Sequence, residues 1–198
     1  MSPSSRQRSD NRHWPQDVLE RYAILDFEAS SLSAVSWPIE VGISWIAGNE
    51  VQTWSSLIRP DENWDLQDWS PASAAVHGIA LELLTEAPAR AWVTQEFHRQ
   101  LRKRHLVSDA PEFETRWLSR LIGIDPAHIS LSVEDFDAVS FARFQGYALD
   151  MLYETVERQP APHRAGPDTA RLAAGWLAVM RAERRNSTDA GALPRLES

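Results

Sequence analysis

An acid inside an otherwise apolar strand is costly to bury, and this chain places one there. The run Tyr22-Ala-Ile-Leu-Asp-Phe27 is followed at once by Glu28. A short apolar run of this kind suits a buried central strand. Strand side chains alternate faces with period two, so Asp26 and Glu28 project to the same side. Two unpaired acids on one face repel each other and resist desolvation. A bound divalent cation resolves that conflict, and hard oxygen ligands suit Mg²⁺ or Mn²⁺. The alternative is a strand that ends at Phe27 and leaves Glu28 in water.

The remaining elements follow from hydrophobic periodicity. Pro38 to Ile46 and Glu50 to Ile58 read as strands, joined by a hairpin turn at Gly48-Asn49. Leu66 to Thr85 reads as loop with short helices. Ala89 to Arg102 carries Val93, Phe97 and Leu101 along one helical stripe. Arg104 to Ser108 is a short strand and Phe113 to Ile122 a helix. Phe136 to Glu157 is helical in two pieces, broken near Gly146. Asp168 to Arg184 is a helix with Leu172, Trp176 and Val179 on one side. Three strands, then helices alternating with strands, predict an α/β domain with a mixed sheet flanked by helices. The 198 residues suit one domain. It is expected over residues 19–184, after a flexible lead-in (1–18) and before a flexible tail (185–198).

Composition narrows the function classes. The net charge of −8 argues against a protein that coats duplex nucleic acid through a broad basic surface. It is compatible with a nuclease that grips a strand end through metal ions. The absence of cysteine excludes disulfides, thiolate chemistry and Cys-ligated zinc. No apolar run is long enough to cross a bilayer. Met1 to Asp10 is polar and unlike a secretory signal, so a cytoplasmic location is expected. Arg99, Arg102, Lys103 and Arg104 read as a solvated helix face. Of the nine tryptophans, Trp45, Trp92, Trp117 and Trp176 fall on apolar faces and are expected in the core. Trp37, Trp64 and Trp69 lie in loop-like segments, where they either stack bases or pack.

A second polar cluster, His163-Arg-Ala-Gly-Pro-Asp168, lies far along the chain. Proline is tolerated in a first helical turn, so Gly166-Pro167 marks a helix start. Asp168 then lies where the macrodipole favours an anion, with His163 on the preceding loop as a titratable base. The bland alternative is a helix-start acid beside a surface histidine.

Taken together, Asp26-Phe-Glu28-Ala-Ser-Ser-Leu32 and the later His-x4-Asp resemble the DEDDh 3′→5′ exonucleases of the ribonuclease H-like fold. Pro38-Ile-Glu-Val-Gly-Ile43 is similar to that family's second strand, and Arg59-Pro60 with Val76-His77-Gly78-Ile79 to its "P…HGI" connection. The resemblance spans Tyr22 to Met180. It implies that Asp26, Glu28, Asp168 and a further acid hold two divalent ions, Mg²⁺ or Mn²⁺, with His163 as general base. By register the further acid is Glu114, in Phe113-Glu114 with Leu118; by residue type it is Asp109. Ser30, Ser31 and Leu32 would meet the terminal nucleotide, with Ser30-Ser31 standing where many relatives have Thr-Gly. Asp109 and Arg164 would contact substrate, and His77 would brace a loop. The implied substrates are single-stranded DNA or RNA 3′ ends or short oligonucleotides, released as nucleoside 5′-monophosphates. RNA-trimming relatives are often dimers, so a homodimer is also implied. The rival expectation is a catalytically weakened member that binds nucleic acid or protein.

Overall fold

The computed structural model describes residues 18–191. After a 3₁₀ turn (Val18–Arg21), β1 (Tyr22–Ala29) enters the centre of a five-stranded sheet of order β3-β2-β1-β4-β5. Its sequence alternates between two cores. Ala23, Leu25, Phe27 and Ala29 face one side, whereas Ile24 faces the other. Asp26 and Glu28 continue the Ile24 face, which thus turns acidic at the strand's end.

β2 (Pro38–Ala47) and β3 (Glu50–Leu57) pair antiparallel through the expected hairpin. Gly48 sits in that turn at φ +63°, a conformation a side chain would strain. β4 (His105–Ser108) pairs parallel with β1, and β5 (Val133–Asp135) pairs parallel with β4. β5 has only three residues and no alternation long enough to register, which is why periodicity missed it.

α1 (Pro71–His77) and α2 (Leu81–Thr85) are the short helices of the Leu66 to Thr85 segment. α3 (Arg90–Leu101) and α4 (Pro111–Ile122) cover one face, burying Val93, Phe97, Leu101, Trp117, Leu118 and Leu121 against β1 and β2. α5 (Phe136–Arg143), α6 (Tyr147–Glu157) and α7 (Ala165–Gly191) cover the other, around Trp176 and Phe136, whose rings stack at 4.9 Å. The break between α5 and α6 falls at Gly146, at φ +53°. The fold is α/β, a mixed sheet flanked by helices.

Several expectations change. α7 starts at Ala165 and runs to Gly191, so residues 185–191 are helix where a tail was expected. The lead-in lies outside the described residues apart from Val18, which opens the 3₁₀ turn; residues 192–198 lie outside them too. Trp92 is 51% exposed, not core, because α3 turns only Val93, Phe97 and Leu101 inward. Trp37 is fully buried, stacked on Trp64 and tilted against Trp69, so it packs and is not free to stack bases. The Arg99 to Arg104 cluster straddles the end of α3; Arg99 pairs with Glu96, and Arg104 lies over the Trp45 ring. Among the described residues no helix is long and apolar enough to cross a membrane.

Candidate active site

The site forms where α7 docks on β2. Gly42 is opposite Asp26 in the β1–β2 register. A β carbon on Gly42 would lie 2.4 Å from the carbonyl carbon of Ala165, so only glycine admits the start of α7 this close. Ser44 and Thr169 share a hydroxyl hydrogen bond of 2.8 Å that fixes the same approach. Docked this way, Asp168 reaches Asp26 and Glu28. Carboxylate oxygens of the three lie within 4.8 Å of one another. The β1–β2 register shifts between Glu28 and Ala29, a bulge at the site of the kind that re-aims a side chain.

The mutual field of these acids is strong. Burial first, then Glu28, Asp109, Asp168 and Glu40, pushes Asp26 well above the usual carboxylate range. Burial, Glu40 and Asp168 raise Glu28 to about 7, against the lowering effect of Arg164. One Asp168 oxygen accepts the backbone N–H of Arg164 at 3.0 Å, while Oδ1 is buried without a hydrogen bond and has Arg171 Nε 3.8 Å away as an ion-pair partner. Crowded hard oxygens, with unmet acceptor capacity and protonation favoured only by burial and repulsion, fit a divalent cation. Asp26, Glu28 and Asp168 are therefore the residues that could hold one.

Glu114 rises from the first turn of α4 and is 1% exposed. It lines a cavity of about 290 Å³ together with Asp26, Glu28, Ser31, Leu32, His77, Phe113 and Trp117. Its carboxylate accepts the Phe27 backbone N–H, and its Oε2 has no hydrogen-bond partner. Burial, then Asp26, Asp109 and Glu28, pushes it well above its ordinary value. It stands beside the three-acid cluster without joining it. Asp109 is also outside the cluster and is not among the cavity's lining residues. It lies close enough to raise Asp26, and burial raises its own carboxyl against the opposing charge of Arg171.

The loop after β1 is tied down through Asp68. Ser31 and Ser33 donate to its carboxylate at 2.7 and 2.8 Å, and Ser30 at 3.3 Å. Ser30 and Ser31 are both buried, at φ values outside the left-handed region, so serine meets no strain there. This leaves Leu32 71% exposed at the cavity. His163 is exposed at φ +53°, outside both the three-acid cluster and the cavity lining. A non-glycine residue in this conformation stores about 1–2 kcal/mol of strain. Arg164 is engaged by Glu40, donating from Nε at 2.8 Å and from Nη2 at 2.7 Å. His77 accepts the Ile79 N–H at Nδ1, at 3.0 Å, bracing the loop as expected, and it also lines the cavity.

Two residues escaped the sequence reading. Glu40, a buried acid on β2 opposite Glu28, accepts Arg164 and the Ala165 N–H. A charged residue in register with Gly42 and Ser44 on a buried strand was the available signal. Asp68 had none, because its role depends on a loop folding back across more than thirty residues.

No protein-family model matches the chain. A solved structure of Exonuclease X in complex with 5′-overhanging duplex DNA is 20% identical, covering 82% of this chain and 93% of that one, with a TM-score of 0.56. A 3′-exonuclease solved in 3′-end-specific recognition of a histone mRNA stem-loop gives a TM-score of 0.59 at 14% identity, covering 81% of this chain and 63% of that one. Escherichia coli Exonuclease I in complex with a dA16 oligonucleotide gives 0.58 at 15% identity, covering 84% of this chain and 42% of that one. The structural neighbours are thus DEDDh-type 3′→5′ exonucleases, and the chain has their ribonuclease H-like fold. In sequence, a DNA polymerase III subunit epsilon-like protein of Rhodobacter capsulatus is 33% identical over 129 residues, or 62% of this chain. The chain spans only 18% of that relative's length.

Proposed function

We propose that this chain is a metal-dependent 3′→5′ exonuclease that hydrolyses single-stranded DNA or RNA ends to nucleoside 5′-monophosphates. One observation carries the reading: Asp26, Glu28 and Asp168, from opposite ends of the domain, converge within 4.8 Å on a fold that exonucleases share. Asp26, Glu28 and Asp168, with Glu114 (or Asp109), would hold two ions, Mg²⁺ or Mn²⁺, which supply an acidified water and charge neutralisation at the leaving 3′-oxygen. The exposed loop position of His163 leaves it free to approach substrate and accept the proton of the attacking water. Ser30, through its hold on the loop, and Ser31 and Leu32, at the cavity, would seat the terminal nucleotide. Arg164 and Asp109 would contribute at the scissile phosphate and sugar. We place the protein in the cytoplasm, acting alone or as a homodimer.

The second reading, a weakened relative that binds without cleaving, is favoured by one feature. Glu114 is turned to the Phe27 N–H and is not part of the three-acid cluster. The test is 5′-labelled single-stranded DNA and RNA incubated with Mg²⁺ or Mn²⁺. A ladder shortening from the 3′ end, absent with EDTA, with Asp26→Ala and with His163→Ala, supports the enzyme. No shortening of polymers or dinucleotides under either ion supports the binding protein instead.

A further inference from the structure

Near the acid cavity lies a groove of about 510 Å³, lined by Arg116 and Arg120 of α4 with Ala34 and Trp64, and by two acids, Asp61, which is neutralised by Arg90 at 2.6 Å, and Asp125. Arg116 lies between the two spaces. Its guanidinium lies 5.0 Å above the ring of Phe113 and 5.5 Å from that of Trp117, and both rings line the acid cavity. Arg116 and Arg120 are four residues apart, on one side of the helix and about 6 Å apart along its axis.

Their charges are uncommitted. Of the three arginines that line the groove, Arg90 is paired with Asp61, whereas Arg116 and Arg120 have no carboxylate within 4.0 Å among the described residues. Arg116 Nε is buried without any hydrogen-bond partner. Their other contacts are long: Arg116 Nη2 donates to Ser36 Oγ at 3.5 Å, and Arg120 Nη2 to the Ala34 carbonyl at 3.4 Å. Asp68 feels the charge of Arg120, but its oxygens are occupied by the three serines of the loop. In a chain of net charge −8, two guanidinia without a carboxylate partner, one of them against the rings that line the acid cavity, outweigh the single unneutralised acid of the groove, Asp125, and mark a place for an anion. Planar forks of this kind suit phosphodiester oxygens.

We infer that this groove carries the sugar-phosphate backbone of the strand upstream of its 3′-terminal nucleotide, held by Arg116 and Arg120. The inference rests on the exonuclease reading for what enters the acid cavity. It adds a strand path that makes binding depend on chain length and on salt.

The test uses the full chain with fluorescein-labelled 12-mers of dT and of U in Ca²⁺. Binding is followed by anisotropy across a KCl series, and hydrolysis of the 12-mer is compared with that of a dinucleotide in Mn²⁺. Arg120→Ala and Arg116→Gln (the latter keeping the stem over Phe113) should each weaken 12-mer binding about fivefold. Each should also lower the slope of log affinity against log salt by about 0.7. Arg120→Lys should retain the slope. KM for the 12-mer should rise while dinucleotide hydrolysis is unchanged, and Arg99→Ala on α3 should alter neither. An unchanged salt slope, or an equal loss on dinucleotide and 12-mer, overturns the inference, the second outcome meaning that the arginines only position the Leu32 loop. If the wild type cleaves neither substrate, the exonuclease reading fails while the salt slope still decides whether the groove binds a strand.

Discussion

Replacing Gly42 with alanine tests how α7 is set against the sheet. The added carbon would meet the carbonyl carbon of Ala165 at 2.4 Å, its oxygen at 2.5 Å and the nitrogen of Gly166 at 2.6 Å. Ordinary contact begins near 3.4 Å, so the start of α7 must retreat by about 1 Å. All three atoms are backbone, which no rotamer change can move aside. Overpacking of this kind costs typically about 1–3 kcal/mol, and the upper end applies here. For a chain of this size that is a fall of about 6–12 °C in Tm. The retreat carries Asp168 away from Asp26 and Glu28. A misplacement of about 1 Å at a reacting centre costs about 10²-fold in rate, and Mn²⁺ affinity should fall with it. The assay pairs thermal unfolding in EDTA with Mn²⁺ titration by calorimetry and 3′-end cleavage. Wild-type Tm would refute the steric argument. A lowered Tm with unchanged Mn²⁺ affinity would refute the claim that α7 docking sets the acid cluster.

Two further outcomes follow from the charges. Arg164→Ala strands the Glu40 side chain, 5% exposed, without its guanidinium. Because Arg164 itself is 40% exposed, the loss should fall at or just below the roughly 3–5 kcal/mol of a fully buried broken pair, at about 2–3 kcal/mol by urea denaturation. Glu40→Gln in the same chain should restore much of it. The proton linkage of Glu28 gives a pH dependence. Its folded value of about 7 lies above its ordinary 4.5, so between these pH values the folded state keeps a proton that the unfolded chain releases. In EDTA, this contribution to stability should be fullest below pH 4.5, decline as pH rises towards 7 and level off above it. Glu28→Gln should reduce the pH dependence of the urea midpoint over that range, the remainder coming from Asp26, Asp109 and Glu114, which burial raises as well. An unchanged slope would show that Glu28 does not contribute.

Much of this molecule was legible from local chemistry. The strand carrying Asp26 and Glu28, the hairpin at Gly48, the break at Gly146 and the helix behind Asp168 each announce themselves within a dozen residues. Turn propensity and side-chain periodicity act over that range. The same range limits what was missed: β5 is too short for a period, and residues 185–191 continue α7 because no proline interrupts them. Trp92 looked like core only because one turn of α3 cannot say which face the sheet will cover.

The site divides along the same line. Sequence alone determined that Asp26 and Glu28 share a face and that Asp168 begins a helix, because backbone geometry dictates both. Only the tertiary structure decided that these three meet, since the meeting depends on a glycine on β2 letting the α7 backbone approach. It also set Glu114 against the Phe27 N–H, Arg164 against Glu40, and Arg116 and Arg120 beside the acid cavity. Those are juxtapositions of charged groups across long stretches of chain. Their energies depend on burial and distance, which no local pattern encodes.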